Sequence, residues 1–378
     1  MNIYENLGLK TIVNASDTYT RIGGSRMSEN VLSAMCEAGR YFVDIVELNK
    51  TVSHEIATMT QNEAAFISSG GAACVVITAS CLMVGNDFEL ASELPDTSRC
   101  SKNEIIVFEN QTKIPMLPYW HLIELSGAKL VKVGASLDEL EKAVCDRTAG
   151  MYFFAADVIY EEGLPPLKDV ISLMHTLGVP IIVDAAAQLP PKSNLWYYTR
   201  DLGANGVIFS GGKFLAGPQS TGLFLGDKQI ADRCYAFANP NVSIGRPYKV
   251  GKEEFIGIYT AMKEFIESDA EAVKRSQNKH LDLIEKSLLD CKDLQIRRSH
   301  QARLAQDAPM LIVDLPEGKT GADCSKFMLE SCNPAIDIGH YLRGDDSGME
   351  SQIFINSINL RDGEPEYIAE ILKAFLKY

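Results

Sequence analysis

Pro180-Ile-Ile-Val-Asp184-Ala-Ala-Ala-Gln188 is an apolar run that ends in a carboxylate, and Gly206-Val-Ile-Phe-Ser210-Gly-Gly-Lys213 is a second apolar run that ends in a hydroxyl, two glycines and an amine. Each has the length and composition of a strand buried on both faces, as strands inside parallel sheets are. The polar groups cluster where the strands end, and in open α/β sheets ligands bind outside that carboxyl edge. Outward from these runs lie further β-rich segments at 104–109 (EIIVFE), 129–133 (KLVKV) and 150–155 (GMYFFA). Residues 137–145 and 167–177 space their apolar side chains as amphipathic helices, the second stopped by Gly178-Val-Pro180. This alternation, from about Asn30 to Asp227, predicts an α/β fold: a mostly parallel sheet with helices on both faces. Beyond Asp227 the pattern changes to a long helical stretch at 253–289, a strand at 309–314, a helix at 322–331, a Gly/Asp-rich loop at 344–348, a strand at 352–355 and a final helix at 365–377. The expected organisation is an N-terminal arm over 1–30, a large domain over 31–245 and a smaller C-terminal α+β domain over 246–378, with the boundary near 239–251.

The chain has 378 residues, with 36 Lys and Arg against 50 Asp and Glu, a formal net charge of −14. That length suits about two domains, and a core of such size needs no disulfide or structural metal. The acidity argues against a nucleic-acid partner, which favours a basic face. The nine cysteines are odd in number, contain no CxxC pair and sit mostly in apolar or helical surroundings, which indicates a reducing, cytoplasmic setting. MNIYENLGLK at the start shows no secretory signal. Residues 72–84, the most apolar run, are broken by Thr78 and Ser80 and fall short of the ~20 residues a bilayer crossing needs, so no membrane partner is expected. His54, His175, His280, His300 and His340 lack metal-ligand spacing, and no metal is expected.

Three motifs carry chemistry. Lys213 follows a buried strand on a glycine-flexible turn, where desolvation lowers an amine's pKa and suits it to Schiff-base chemistry; the plain alternative is a surface lysine. Gly211 and Gly212 let the backbone approach a ligand. Asp184 can hold a protonated pyridine nitrogen or simply cap the helix that follows. Phe66-Ile-Ser68-Ser69-Gly70-Gly71-Ala72-Ala73 reads as a short strand, a Ser/Gly turn and an apolar helix whose free amides can cradle a phosphate. Lacking Gly-Lys-Ser/Thr, it is not an NTP-type loop.

In that order, phosphate loop, then Asp, then Lys, the chain resembles the fold-type I pyridoxal-phosphate enzymes over nearly its whole length. More narrowly it is similar to their selenocysteine-synthase-like branch and, within it, the D-glucosaminate-6-phosphate ammonia-lyase group. The resemblance rests on Asn14-Ala15, Thr20-Arg21-Ile-Gly-Gly-Ser25, Ser69-Gly-Gly-Ala72, Val183-Asp-Ala-Ala-Ala-Gln188, Ser210-Gly-Gly-Lys213 with Gly217-Pro-Gln219, and Ile244-Gly-Arg246-Pro-Tyr-Lys249-Val-Gly-Lys252-Glu253. It implies the aspartate-aminotransferase-like fold and pyridoxal 5'-phosphate as cofactor. Lys213 would carry the cofactor and Asp184 would face its ring nitrogen. Ser69, Gly70, Gly71 and Ala72 would surround the phosphate, with Gln188 and Ser210 as further cofactor contacts. It also implies a homodimer or higher homo-oligomer with shared active sites, and an N-terminal arm returning to the site, which makes Thr20 and Arg21 candidate substrate contacts. Arg246 and Lys249, in a basic loop at the domain junction, can bind a substrate carboxylate or phosphate. A surface ion pair for Arg21 and a solvated loop for the other two are the plain readings. One departure stands out: the family's usual His after the fourth strand is absent, with Pro115 near its place. Gln111, Tyr119 and His121 are the candidates to stack on the cofactor ring.

The activity implied is elimination of water and ammonia from a small anionic 2-amino-3-hydroxy (sugar) acid, such as D-glucosaminate 6-phosphate, to give a 2-oxo-3-deoxy acid. An aminotransferase differs only in where a proton returns. A selenium or sulfur transferase acting on seryl-tRNA needs a basic surface that the net charge opposes. A non-catalytic paralogue sits poorly with an intact Asp184 and Lys213.

Overall fold

The computed structural model describes residues 2–112, 119–155, 163–291, 294–302, 306–340 and 350–377. Pro115 and the 344–348 loop lie outside the described residues. The described strands are β1 (Ile12–Ala15), β2 (Ala64–Ser68), β3 (Glu104–Phe108), β4 (Lys129–Val133), β5 (Thr148–Phe154), β6 (Ile181–Asp184), β7 (Gly206–Ser210), β8 (Gly222–Gly226), β9 (Gln295–Ser299), β10 (Met310–Asp314), β11 (Ala335–His340) and β12 (Gln352–Asn356). The chain forms two compact units, one of residues 27–267 and one of residues 1–26 with 268–378.

In the larger unit seven strands lie in the order β2-β8-β7-β6-β5-β3-β4. Neighbours from β7 through β4 are parallel, and β8 runs antiparallel between β7 and β2. The mostly parallel sheet expected from the apolar runs is present. Because side chains alternate across a strand, Ile67, Phe153, Val183, Val207 and Leu223 enter one core. Phe66, Phe154, Ile182, Ile208 and Phe224 enter the other. Helices cover both faces. Ile45–Met59, Leu167–Thr176 and Lys252–Glu267 lie over the first core, and Gly71–Val84 and Lys228–Phe237 over the second. The helix Gly71–Val84 is buried at every residue from Ala73 to Val84, so its uniform apolarity reflects enclosure in the core.

The stretch 253–289 is two helices, Lys252–Glu267 and Ala270–Leu288. Asp269 interrupts it by accepting the N–H groups of Glu271 and Ala272, capping the second helix instead of continuing the first. Phe255, Ile258 and Met262 of the first helix pack into the larger unit's core, while Leu281, Ile284 and Leu288 of the second pack into the smaller unit's. The structural division therefore falls after Glu267, further along than the boundary expected near 245.

The smaller unit holds a five-stranded sheet, β1-β11-β12-β10-β9, antiparallel apart from the β1–β11 pair. Its first strand comes from the N-terminal segment, whose Val13 and Ala15 join the core. Among the described residues no helix is long and apolar enough to cross a membrane.

Candidate active site

Because β8 is antiparallel to both β2 and β7, strands β2, β6 and β7 share one direction, and Ser68, Asp184 and Ser210 all end strands at the same sheet edge. Gly222 of β8 pairs with Ser68 on one side and Ser210 on the other. The turn after Ser68 folds back over this point. Gly70 takes φ +91°, a conformation that glycine adopts at no steric cost, and the helix Gly71–Val84 begins there with no side chain capping its first amides. Such uncapped N–H groups, with the helix dipole behind them, can cradle an anion. A β-carbon on Gly71 would lie 3.5 Å from Ile208 and 3.7 Å from Ala186, while one on Gly70 would meet open space. The cradle thus sits beside the segment that follows Asp184.

Asp184 accepts the Ala186 N–H at 3.0 Å. Burial raises its carboxyl pKa, and the Ala186 hydrogen bond and the Lys213 charge pull part of that back. The two charged groups predicted from sequence are therefore electrostatically coupled. Lys213 is half-buried in the turn after β7. That turn is closed by Gly211 N–H to Thr221 O at 2.8 Å, Gly217 N–H to Gly211 O at 2.9 Å and Ala216 N–H to Lys213 O at 2.9 Å. The two glycines before the lysine also meet a demand inside the chain. A β-carbon on Gly211 would strike Thr221 Oγ1 at 2.1 Å, and one on Gly212 would strike Gln219 Cα at 2.4 Å. They admit the chain's own return segment and so hold Lys213 in a tight loop.

Ser210 ends β7 half-buried, its N–H donated to Ala186 O at 3.3 Å. Gln188 is buried in the turn after Asp184, its N–H bonded to Ala185 O at 2.9 Å. Cys74, on the cradle helix, is fully buried, and burial together with the Asp184 charge pushes its thiol well up. It is a core residue, as its apolar surroundings suggested.

The three stacking candidates separate. Gln111 is buried and spends its amide on strand β5, with Nε2 to Phe154 O at 2.9 Å and Phe154 N–H to its Oε1 at 3.2 Å. His121 is exposed, pairs with Glu124 at 2.9 Å and stacks on Trp120. Tyr119 is exposed over part of its surface yet is the one that feels Asp184: partial desolvation first and that carboxylate's charge second raise its phenol pKa.

Arg246 and Lys249 are exposed in the loop before Lys252–Glu267, and Arg246 Nη1 donates to Pro240 O at 2.8 Å. Thr20 and Arg21 belong to the smaller unit, in a short 3-10 turn. Arg21 makes an ion pair, but with a buried partner: its Nη2 donates to Oδ1 of Asp337, whose other oxygen accepts the Ser16 hydroxyl. Asn14 braces Ser16 by accepting the Ser16 N–H on its Oδ1 at 3.1 Å. Sequence reading missed Asp337 and the role of Gly222. The signal for the first was a lone carboxylate within the apolar run Ala335-Ile-Asp337-Ile338.

No family model matches the chain. It is 31% identical over 269 residues to a 5'-C-glycyluridine monooxygenase-decarboxylase of a Streptomyces species, a match that spans 69% of this chain and 65% of that protein. It is 28% identical over 268 residues to the D-glucosaminate-6-phosphate ammonia lyase of Salmonella typhimurium, covering 70% of each. Among solved structures, D-glucosaminate-6-phosphate ammonia-lyase superposes with a TM-score of 0.84 at 22% identity, over 100% of this chain and 98% of that one. The fold is the aminotransferase-like fold of the fold-type I pyridoxal-phosphate enzymes, and the resemblance to D-glucosaminate-6-phosphate ammonia-lyase and to selenocysteine-synthase-like transferases holds.

Proposed function

We propose that this chain is a pyridoxal-phosphate-dependent ammonia-lyase acting on an anionic 2-amino-3-hydroxy acid, with D-glucosaminate 6-phosphate as the leading substrate. The observation that supports it most is the convergence of an uncapped glycine cradle, Asp184 and Lys213 at one sheet edge. The residues fit the cofactor. Gly70 leaves open space at the helix start, and the adjoining Ser68 Oγ is buried without a hydrogen-bond partner among the described residues.

When bound, pyridoxal phosphate supplies the electron sink that makes the substrate's α-hydrogen acidic. Ser69, Gly70, Gly71 and Ala72 would hold its phosphate, with Ser210 and Gln188 beside them. Asp184 would set a negative charge against the ring nitrogen and keep a proton there. Tyr119 would be the stacking candidate nearest in influence to Asp184. The Lys213 amine would take the α-proton as general base. Arg246 and Lys249 meet the substrate's carboxylate and phosphate. Loss of the β-hydroxyl leaves an enamine, and its tautomer is hydrolysed to a 2-oxo-3-deoxy acid and ammonia. The water lost in elimination returns in hydrolysis, so the net loss is ammonia. The active form is a homodimer or larger assembly of this chain, working in the cytoplasm.

A second reading takes support from the 31% identity to the monooxygenase-decarboxylase: oxygen-dependent decarboxylation of an amino acid. The experiment incubates holoenzyme with D-glucosaminate 6-phosphate and reads ammonia, 2-oxo acid, oxygen uptake and carbon dioxide. Equal ammonia and 2-oxo acid support the lyase. Oxygen uptake with carbon dioxide moves the assignment to the second reading, and amino transfer to an added 2-oxo acid moves it to an aminotransferase. Borohydride reduction and peptide mapping should find the cofactor on Lys213, and Lys213→Ala should not turn over.

A further inference from the structure

We infer that Gly222 is a positioning residue that sets the phosphate cradle from behind, an inference that rests on the cofactor reading above. Gly222 is buried mid-sheet, paired with Ser68 on one side and Ser210 on the other. A β-carbon there would lie 2.1 Å from Gly70 C, 2.3 Å from Gly70 O and 2.3 Å from Gly71 N. All three are atoms of the single peptide that opens the cradle helix. Gly222 is not among the glycines at positive φ, so the backbone alone would accept alanine, and the requirement is steric. The obstructed atoms are main chain and cannot swing aside as a side-chain tip can. A methyl group at 222 must therefore push the Gly70–Gly71 peptide out of line by about an ångström, a displacement that can cost about 10²-fold in a positioned interaction. All three clashes fall on the Gly70–Gly71 peptide, so the effect belongs to the phosphate end of the site.

The test compares two ligands of the apoprotein, pyridoxal phosphate and pyridoxal, which differ only in the phosphate. Affinity is read by absorbance titration, and attachment to Lys213 by borohydride trapping. Gly222→Ala should weaken pyridoxal phosphate about 10²-fold and leave pyridoxal unchanged, so the preference for the phosphorylated ligand collapses. Equal loss for both ligands, or an unchanged preference, overturns the inference. Gly206→Ala is the matched control: its β-carbon would strike the Phe224 ring at 2.1 Å in the same sheet, away from the cradle, and it should keep the preference. If Gly222→Ala does not fold, Gly70→Ala disturbs the same peptide from the loop side through its positive φ, and a retained preference there overturns the inference equally. A wild-type protein that binds both ligands alike would instead bring down the cofactor reading itself.

Discussion

Asp184 and Asp337 are both carboxylates set among apolar strand residues, and the molecule treats them oppositely. Asp184 ends its strand, receives one N–H from Ala186 and feels the Lys213 charge, yet burial prevails and its pKa is raised. Asp337 lies within β11 with a side chain only 2% exposed, and both of its oxygens are engaged, one by Ser16 and one by Arg21. Buried charge is costly unless paired and hydrogen-bonded. The chain itself meets that demand at Asp337 and meets it only in part at Asp184. On the cofactor reading proposed above, a carboxylate left under-compensated at a sheet edge would meet an outside cation, which is the chemistry a protonated ring nitrogen brings. A fully compensated one pins its partners, here the segment from Ser16 to Arg21.

The largest consequence falls on Asp184. Asp184→Asn should lower turnover about 10²–10³-fold while cofactor retention through the phosphate falls much less. The apoprotein should respond in the other direction. A carboxyl whose folded pKa is raised destabilises the fold where it is ionised in both states. That penalty is full above the raised pKa, shrinks as pH falls through it and is gone below the ordinary carboxylate range. The asparagine variant should therefore be more stable than wild type at pH 7, by about 1 kcal/mol, with the gain vanishing in acid. Thermal melts of cofactor-free protein across pH check the sign. A variant less stable at neutral pH would mean that the Asp184 charge is already compensated, and the contrast with Asp337 would dissolve.

At Asp337 the expected effects are on stability and are unequal. Its partner Arg21 is 61% exposed on its side chain, so desolvation falls almost wholly on the aspartate. Arg21→Ala leaves a buried carboxylate with only the Ser16 hydroxyl, at a cost of about 1–3 kcal/mol, toward the upper end because the group is charged. Asp337→Asn leaves an exposed guanidinium that water solvates, at a cost nearer 1 kcal/mol. Denaturant titration of both variants gives the order. If the asparagine variant is the weaker of the two, the burial asymmetry does not govern the pair.

The same contrast marks what was legible in the sequence. Asp184 and Lys213 could be read because each follows an apolar run directly, so local order alone placed them at a strand end. The cradle could be read because Ser-Gly-Gly before an apolar helix is a local signal. Asp337 and Arg21 are brought together by β1 pairing with β11, a contact between distant parts of the chain that no spacing rule reports. Gly222 was visible as a residue and silent as a function, since its reason lies in the Gly70–Gly71 peptide across a strand pairing. The 253–289 stretch looked like one helix because its apolar periodicity continues through Ser268-Asp269. Only the capping hydrogen bonds of Asp269 show that a break there is favoured.

The smallest effect, and the sharpest probe of the Asp184 side of the contrast, concerns Tyr119. Its phenol pKa is raised from the ordinary value by burial first and by the Asp184 charge second. A negative charge nearby holds the phenolic proton more firmly, so an ionised Asp184 must keep Tyr119 protonated to higher pH. Asp184→Asn removes that charge and should let Tyr119 ionise at lower pH than in wild type, while the burial contribution persists. The tyrosinate absorbance that distinguishes wild type from Tyr119→Phe isolates this one phenol among the chain's 14 tyrosines. Repeating the pair in the Asp184→Asn background gives its displacement. A curve that moves to lower pH shows that Asp184 carries its charge in the cofactor-free protein, as an under-compensated carboxylate poised for a cation must. A curve that stays in place shows that the Asp184 charge does not reach Tyr119, and the phenol then stands outside the Asp184 side of the contrast.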